Sequence, residues 1–155
     1  MIAPSCRAHV SRTNRGFSLF ELIVVIAIVG ILFTFGSPVY QRIYTRNDLD
    51  TAAETIAMGM RRAATLSRGV SNDTTWGVSI SVGEMIIFSG SSFASRDSAL
   101  DETFELSPSI TSTGLTEVTF GRVSGRPNQT GATILTSTLN EVRTVEINTL
   151  GRIEY

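Results

Sequence analysis

A single carboxylate, Glu21, interrupts an otherwise uncharged run from Phe17 to Tyr40. A carboxylate at the centre of a membrane helix costs ~2.5 to 3.5 kcal/mol, and less near its edge. A plain anchor gains nothing from such a group, so the charge calls for a partner. Four residues before it stands Phe17, preceded by Gly16. A chain cut between Gly16 and Phe17 would begin with an α-amino group that is positive near neutral pH. Within one helix that amine lies about one turn from Glu21. Between staggered copies, the carboxylate of one chain meets the amine of the next. The chemistry of these residues is therefore processing and ion pairing rather than turnover.

The element that positions them is apolar. Residues 22–33 carry no polar side chain, and the whole run 17–40 has 24 residues. A helix rises 1.5 Å per residue, so ~20 residues cross a hydrocarbon core of ~30 Å. Arg12 and Arg15 lie just before the run and Arg42 and Arg46 follow it. Cytoplasmic flanks are enriched in Arg and Lys, so the N-terminus is expected inside and the C-terminal domain outside. A secretory signal would place a small-residue cleavage site after the run. The run instead closes on Phe-Thr-Phe-Gly-Ser-Pro.

The stretch Arg15-Gly16-Phe17-Ser18-Leu19-Phe20-Glu21-Leu22-Ile23 resembles the processing signal of type IV prepilins and type II secretion pseudopilins. Gly16, Phe17 and Glu21 each match that signal, and Pro38 matches a proline common just past its apolar segment. The resemblance implies a basic leader over 1–16 and cleavage between Gly16 and Phe17. It also implies N-methylation of Phe17 by a prepilin peptidase, with Glu21 guiding assembly with other pilin or pseudopilin subunits. The implied location is the inner membrane, single-pass, with the C-terminal domain periplasmic, followed by extraction into a pilus or pseudopilus. The bland alternative is a plain single-pass anchor for a periplasmic domain, with Glu21 reaching to the interface.

Helical spacing continues past the run. Ile43, Leu49, Ala53, Ile56, Met60, Ala63 and Ala64 fall on one face, and Arg46, Asp48, Asp50, Glu54, Arg61 and Arg62 on the other. The sequence predicts an amphipathic half-helix over 41–69, stopped by Gly69 in a left-handed conformation. Gly36 and Pro38 predict a bend, since proline lacks the N–H and clashes with the preceding turn. From Ser71 onward short strand candidates alternate with Gly, Ser, Asn and Pro. Expected strands are 76–82, 85–88, 103–106, 117–120, 132–136, 142–147 and 152–155. The fold class is α+β: a long N-terminal helix packed on a C-terminal antiparallel β-sheet domain over 70–155.

Phe120, the break near Gly125, the strands at 132–135 and 142–147 and the closing Gly151-Arg152-Ile153 resemble the minor pseudopilin H/FimT-like branch. That likeness implies a minor subunit of a pilus or secretion pseudopilus. It also brings in DNA uptake as an alternative, because Gly121-Arg122, Gly125-Arg126 and Gly151-Arg152 recur. Arg122, Arg126 and Arg152 are the residues expected to grip phosphates if loops bring them together. Otherwise they balance Glu117, Glu141 and Glu154.

Composition removes most other classes. The 13 basic residues are all Arg, and three lie in the first 16 positions. Without that segment 10 Arg face 14 acidic residues, a net charge of −4, which disfavours broad binding to nucleic acid. The lone His and lone Cys are His9 and Cys6, both in the leader. A processed chain then has no disulfide, no thiolate metal site and no Ser-His-Asp set. No enzyme activity, cofactor or metal is expected. Asp97, Asp101, Glu102 and Glu105 follow no Ca²⁺-loop spacing and read as a solvated loop.

Overall fold

A computed structural model describes residues 16–155 of the chain, apart from the side chains of 34–41. Helix α1 runs from Leu19–Arg68 and is followed by eight strands. The chain divides into two units, Met1–Pro38 and Val39–Tyr155. The helix assignment continues through Gly36 and Pro38, whose side chains, and with them the expected bend, lie outside the described residues.

In the second unit, α1 buries a stripe of Leu49, Ala52, Ala53, Ile56, Ala57, Met60, Ala63, Ala64 and Ser67. The three- and four-residue intervals place these on one face, and the alanines let a sheet approach closely. Gly59 is where that approach is tightest: a Cβ there would strike the Met85 side chain. Ile43, expected on the same stripe, is 63% exposed. The buried stripe begins only at Leu49, so Ile43 lies beyond the strands that cover the helix.

The strands are β1 (Trp76–Ser81), β2 (Glu84–Ser89), β3 (Asp97–Glu105), β4 (Ile110–Gly114), β5 (Glu117–Phe120), β6 (Gly131–Ser137), β7 (Val142–Ile147) and β8 (Ile153–Glu154). They form two four-stranded antiparallel sheets, in the orders β3-β2-β1-β5 and β4-β6-β7-β8. β1 and β2 make a hairpin with Ser81 opposite Glu84. Its two-residue link ends on Gly83 at φ +85°, a conformation open to glycine at no steric cost. The sheets are stitched at Leu115-Thr116, where Leu115 N–H donates to Ala132 O at 3.0 Å and Ile80 N–H donates to Thr116 O at 2.8 Å. One hydrophobic cluster joins the helix stripe to Met85, Ile87 and Val118 of the first sheet and Leu135, Val145 and Ile147 of the second.

Four further features differ from the sequence reading. The third strand starts at Asp97, so the acidic stretch expected as a solvated loop is an edge strand. Its carboxylates suit an edge, where charge discourages pairing with foreign strands. β4 carries only one large apolar residue, Ile110, which is why its sequence gives no strand signal. The final strand is shorter than expected. Finally, Val70 rather than Gly69 takes the left-handed conformation after the helix, at φ +51°. The reason is a hook at the helix end. Buried Ser67 Oγ donates to Phe120 O at 3.1 Å and accepts from Trp76 N–H at 2.9 Å. Trp76 Nε1 donates to Ser71 O at 3.0 Å. These bonds hold the turn against the cost of a β-branched residue at positive φ.

Candidate processing and assembly site

Gly16, Phe17 and Ser18 precede α1 as irregular chain, and all three are exposed. The helix opens with Leu22 N–H donating to Ser18 O at 3.2 Å. Glu21 falls in its first turn, where the unpaired N–H groups and the helix dipole favour a negative side chain. Phe17, Glu21, Leu22, Val25 and Ile26 line one shallow apolar groove. The carboxylate thus sits at the head of an apolar strip, one turn from Phe17, as its spacing requires.

Two observations show that packing among the described residues does not account for these residues. First, a Cβ added at Gly16 or at Gly30 would meet no atom within 4 Å. Among the described residues no close side-chain packing requires a glycine at either position, and a glycine in a helix interior costs ~0.5 to 1 kcal/mol relative to alanine. Second, every residue from Gly16 to Phe33 is exposed, Phe17 by 84%. Monomeric soluble proteins rarely expose contiguous apolar surface on this scale. Among the described residues no helix is long and apolar enough to cross a membrane. The described apolar part, from Leu19 to Phe33, has 15 residues, or ~22 Å. The span expected over 17–40 continues over residues whose side chains lie outside the described ones. The leader residues Cys6, Arg7, His9, Arg12 and Arg15 also lie outside them.

The three Gly-Arg steps are partly gathered. Gly125 and Gly151 approach each other: a Cβ on Gly151 would stand 3.6 Å from Gly125 O and 3.4 Å from Pro127 Cδ. The loop carrying Arg126 therefore touches the turn carrying Arg152. Two of the three side chains are already paired. Arg122 bonds Asp73, and Arg152 Nε meets Glu154 Oε1 at 2.8 Å. Both pairs are exposed, a setting in which an ion pair contributes only ~0 to 1 kcal/mol. Arg126 is exposed and, among the described residues, joins no ion pair. The acidic edge is likewise engaged in part. Arg96 Nε holds Asp101 at 2.7 Å, and Arg62 grips Glu102 through two bonds of 2.6 and 2.7 Å. That grip lowers the Glu102 carboxyl below its ordinary range, chiefly through the hydrogen bond from Arg62 and against a smaller desolvation effect. No group of three or more metal-ligating side chains occurs among the described residues.

Sequence reasoning missed Ser67, whose hydroxyl ties the helix end to the first sheet. A serine in a helical stripe gives no signal of its distant partners. No curated protein and no solved structure matches the chain. Residues 11–37 match a family model described as the prokaryotic N-terminal methylation motif, a segment that contains Gly16, Phe17 and Glu21 together with the exposed apolar helix behind them.

Proposed function

We propose that this chain is a pilin-like structural subunit. A prepilin peptidase cuts it after Gly16 and methylates the new amine of Phe17. The apolar run 17–40 holds it in the inner membrane until the helix is drawn into a pseudopilus or type IV pilus. The observation that carries the proposal is the methylation-motif match over residues 11–37. Three features support it. A Cβ on Gly16 would meet none of the described residues, which suits a glycine selected by an external enzyme. The apolar helix surface is uncovered over its described length, which suits a segment that trades lipid for neighbouring helices. Glu21 heads that surface one turn from Phe17, where it can pair with an amine supplied by its own chain or by the next.

In this mechanism no bond is made or broken by the chain's own side chains. Assembly follows from pairing a desolvated carboxylate with a desolvated amine, since either group left alone in an apolar layer is costly. Lateral packing of the exposed aliphatic side chains then holds neighbouring copies together.

The test is the N-terminal mass of the membrane-extracted protein, produced with and without a prepilin peptidase. A chain that starts at methylated Phe17 only when the peptidase is present supports the proposal. A chain that keeps its leader under both conditions overturns it and leaves a membrane-anchored domain.

A further inference from the structure

Apolar side chains stand exposed on two kinds of loop in the second unit. Val82 and Leu139, in the β1–β2 and β6–β7 turns, are 64% and 45% exposed. Each is followed two residues later by a glutamate, Glu84 or Glu141. Val123 and Leu150 are 69% and 70% exposed, and their neighbours are arginines: Arg122 directly before Val123, and Arg152 two residues after Leu150. Apolar residues scattered singly over a surface are ordinary. These two are not scattered, because their loops adjoin where Gly151 approaches Gly125 O and Pro127. Both loops are held in shape. Val123 N–H donates to Ser67 O at 3.0 Å, and Arg68 Nε donates to Ser124 O at 3.4 Å. Asn148 Oδ1 accepts from the N–H groups of Leu150 and Arg152 at 3.0 and 2.9 Å. Val123 is kept at φ +67°, an unfavourable conformation for a β-branched residue. Backbone strain of this kind persists where its surroundings impose it, and it gathers at ligand contacts.

Charge sets this end of the domain apart. Arg68, Arg122, Arg126 and Arg152 face three carboxylates there, Asp73, Glu146 and Glu154, whereas the other six arginines of residues 39–155 face ten. Arg122 and Arg152 are engaged in exposed ion pairs, which contribute little and which another anion can replace. Arg126 joins no ion pair among the described residues. Guanidinium groups beside short apolar prongs match a layer that has phosphate at its surface and hydrocarbon beneath. Nucleic acid also offers phosphate, but it gives Val123 and Leu150 nothing to enter. Neither the 121–126 loop nor the 148–152 turn carries an aromatic side chain on which a base could stack.

We propose that the end of the β-rich domain built from the 121–126 loop and the 148–152 turn docks on an anionic lipid surface. Val123 and Leu150 enter below the headgroups, and the four arginines meet the phosphates. Along α1, Arg68 lies ~42 Å beyond Tyr40. A domain that stands on the membrane occupied by its own apolar run therefore holds this end several Debye lengths of ~8 Å away from that membrane. The surface it meets is that of an apposed membrane. The inference goes beyond the pilin-like reading and takes from it only the membrane anchor.

The experiment reconstitutes the full chain, produced together with prepilin peptidase, into donor vesicles of phosphatidylcholine. Flotation with the donors reports the anchor by itself. Acceptor vesicles contain phosphatidylcholine alone or with phosphatidylglycerol, and clustering of donors with acceptors is read by light scattering. Clustering is expected with the anionic acceptors only, and it weakens in high salt. Leu150→Ser is expected to lower it about tenfold and Arg126→Ala about fivefold. Val123→Asn also lowers it, although asparagine suits the left-handed backbone at that position, so misfolding of the loop does not account for the loss. A chain that floats with the donors but clusters no anionic acceptor, or clusters neutral ones equally, overturns the inference and leaves the anchor standing. If Leu150→Ser and Val123→Asn change nothing while duplex DNA competes for the arginines, the end is a general polyanion site and the inference fails. A polarity-sensitive dye on Thr149→Cys, in chains with Cys6→Ser, reports on the chain's own membrane. A response to phosphatidylglycerol in the donors, without acceptors, overturns the assignment to an apposed surface. If the chain does not float with neutral donors, the anchored reading fails. Flotation of the free chain with anionic vesicles, compared across the same variants, then decides the lipid contact separately.

Discussion

The half of α1 from Leu19 to Phe33 and the half from Leu49 to Arg68 share one backbone geometry and treat their apolar side chains in opposite ways. In the first, every described residue is exposed, aliphatic side chains face all directions, and the one charge stands at the head. In the second, apolar residues keep to one stripe of which Leu49, Ile56, Ala57 and Ala63 are fully buried, while Glu54, Arg61 and Arg62 face water. A helix that is apolar all round needs a surrounding that is apolar all round, and a striped helix needs only one sheet. The striped half carries the fold of the β-rich domain, and the uniform half is the part that the proposed assembly would use. The striped half contributes to the folding free energy of its own domain. None of the described residues of the uniform half is buried, and under the proposed function its composition answers to lipid, peptidase and neighbouring subunits.

The comparison can be broken most decisively at Gly16. Gly16→Arg is expected to abolish the mature species, so the membrane-extracted chain keeps its leader, while thermal unfolding of the β-rich domain is unchanged. A processed chain in this variant would show that the residue before Phe17 is not read. The mirror-image change is Ile56→Ala in the striped half. It removes a fully buried side chain and is expected to cost ~2 to 5 kcal/mol by denaturant unfolding, with cleavage after Gly16 proceeding as before. Equal effects on both properties would erase the division of labour.

Ser67→Ala sharpens the account of how the striped half is fastened. It leaves Phe120 O and Trp76 N–H without their buried partner, for an expected loss of ~1 to 3 kcal/mol. Ser67→Gly would not rescue it, whereas Ser67→Thr retains the hydroxyl and is expected to recover part of the loss. The smallest effect belongs to the Arg62–Glu102 pair. Its carboxyl is held below the ordinary range by Arg62, so the stability it adds is present above the unfolded carboxyl's titration. That stability is lost as pH falls through the lowered folded value. Glu102→Gln is expected to flatten the acid limb of a melting-temperature profile slightly, and 1 M salt to hide most of the difference. A large change at neutral pH would mean the pair is shielded from solvent in an assembled state.

Legibility followed the range of the interactions involved. The helix, its stripe from Leu49 to Ala64 and most strands could be read because period and composition are local properties. The Glu117–Phe120 and Val142–Ile147 strands fall at the residues that their alternation indicates. β4 could not be read, because Ile-Thr-Ser-Thr-Gly becomes a strand only through its pairing with β6, as in Ile110 opposite Ser137. Nor could the start of β3 at Asp97, where edge position rather than alternation decides the structure. The proposed Gly16–Phe17–Glu21 constellation could be picked out from the sequence because its members lie within six residues of one another.

By itself, then, the sequence determined the charge within the apolar run, the glycine before Phe17, the helix periodicity and the α+β class. All of these depend on neighbours along the chain. Only the tertiary structure decided that eight strands form two sheets rather than one, that Ser67 closes the helix end, and that Val70 takes the left-handed turn. It also decided that Gly125 meets Gly151. Each of these depends on which distant residues share a surface, and sequence separation carries no record of that until packing brings them together.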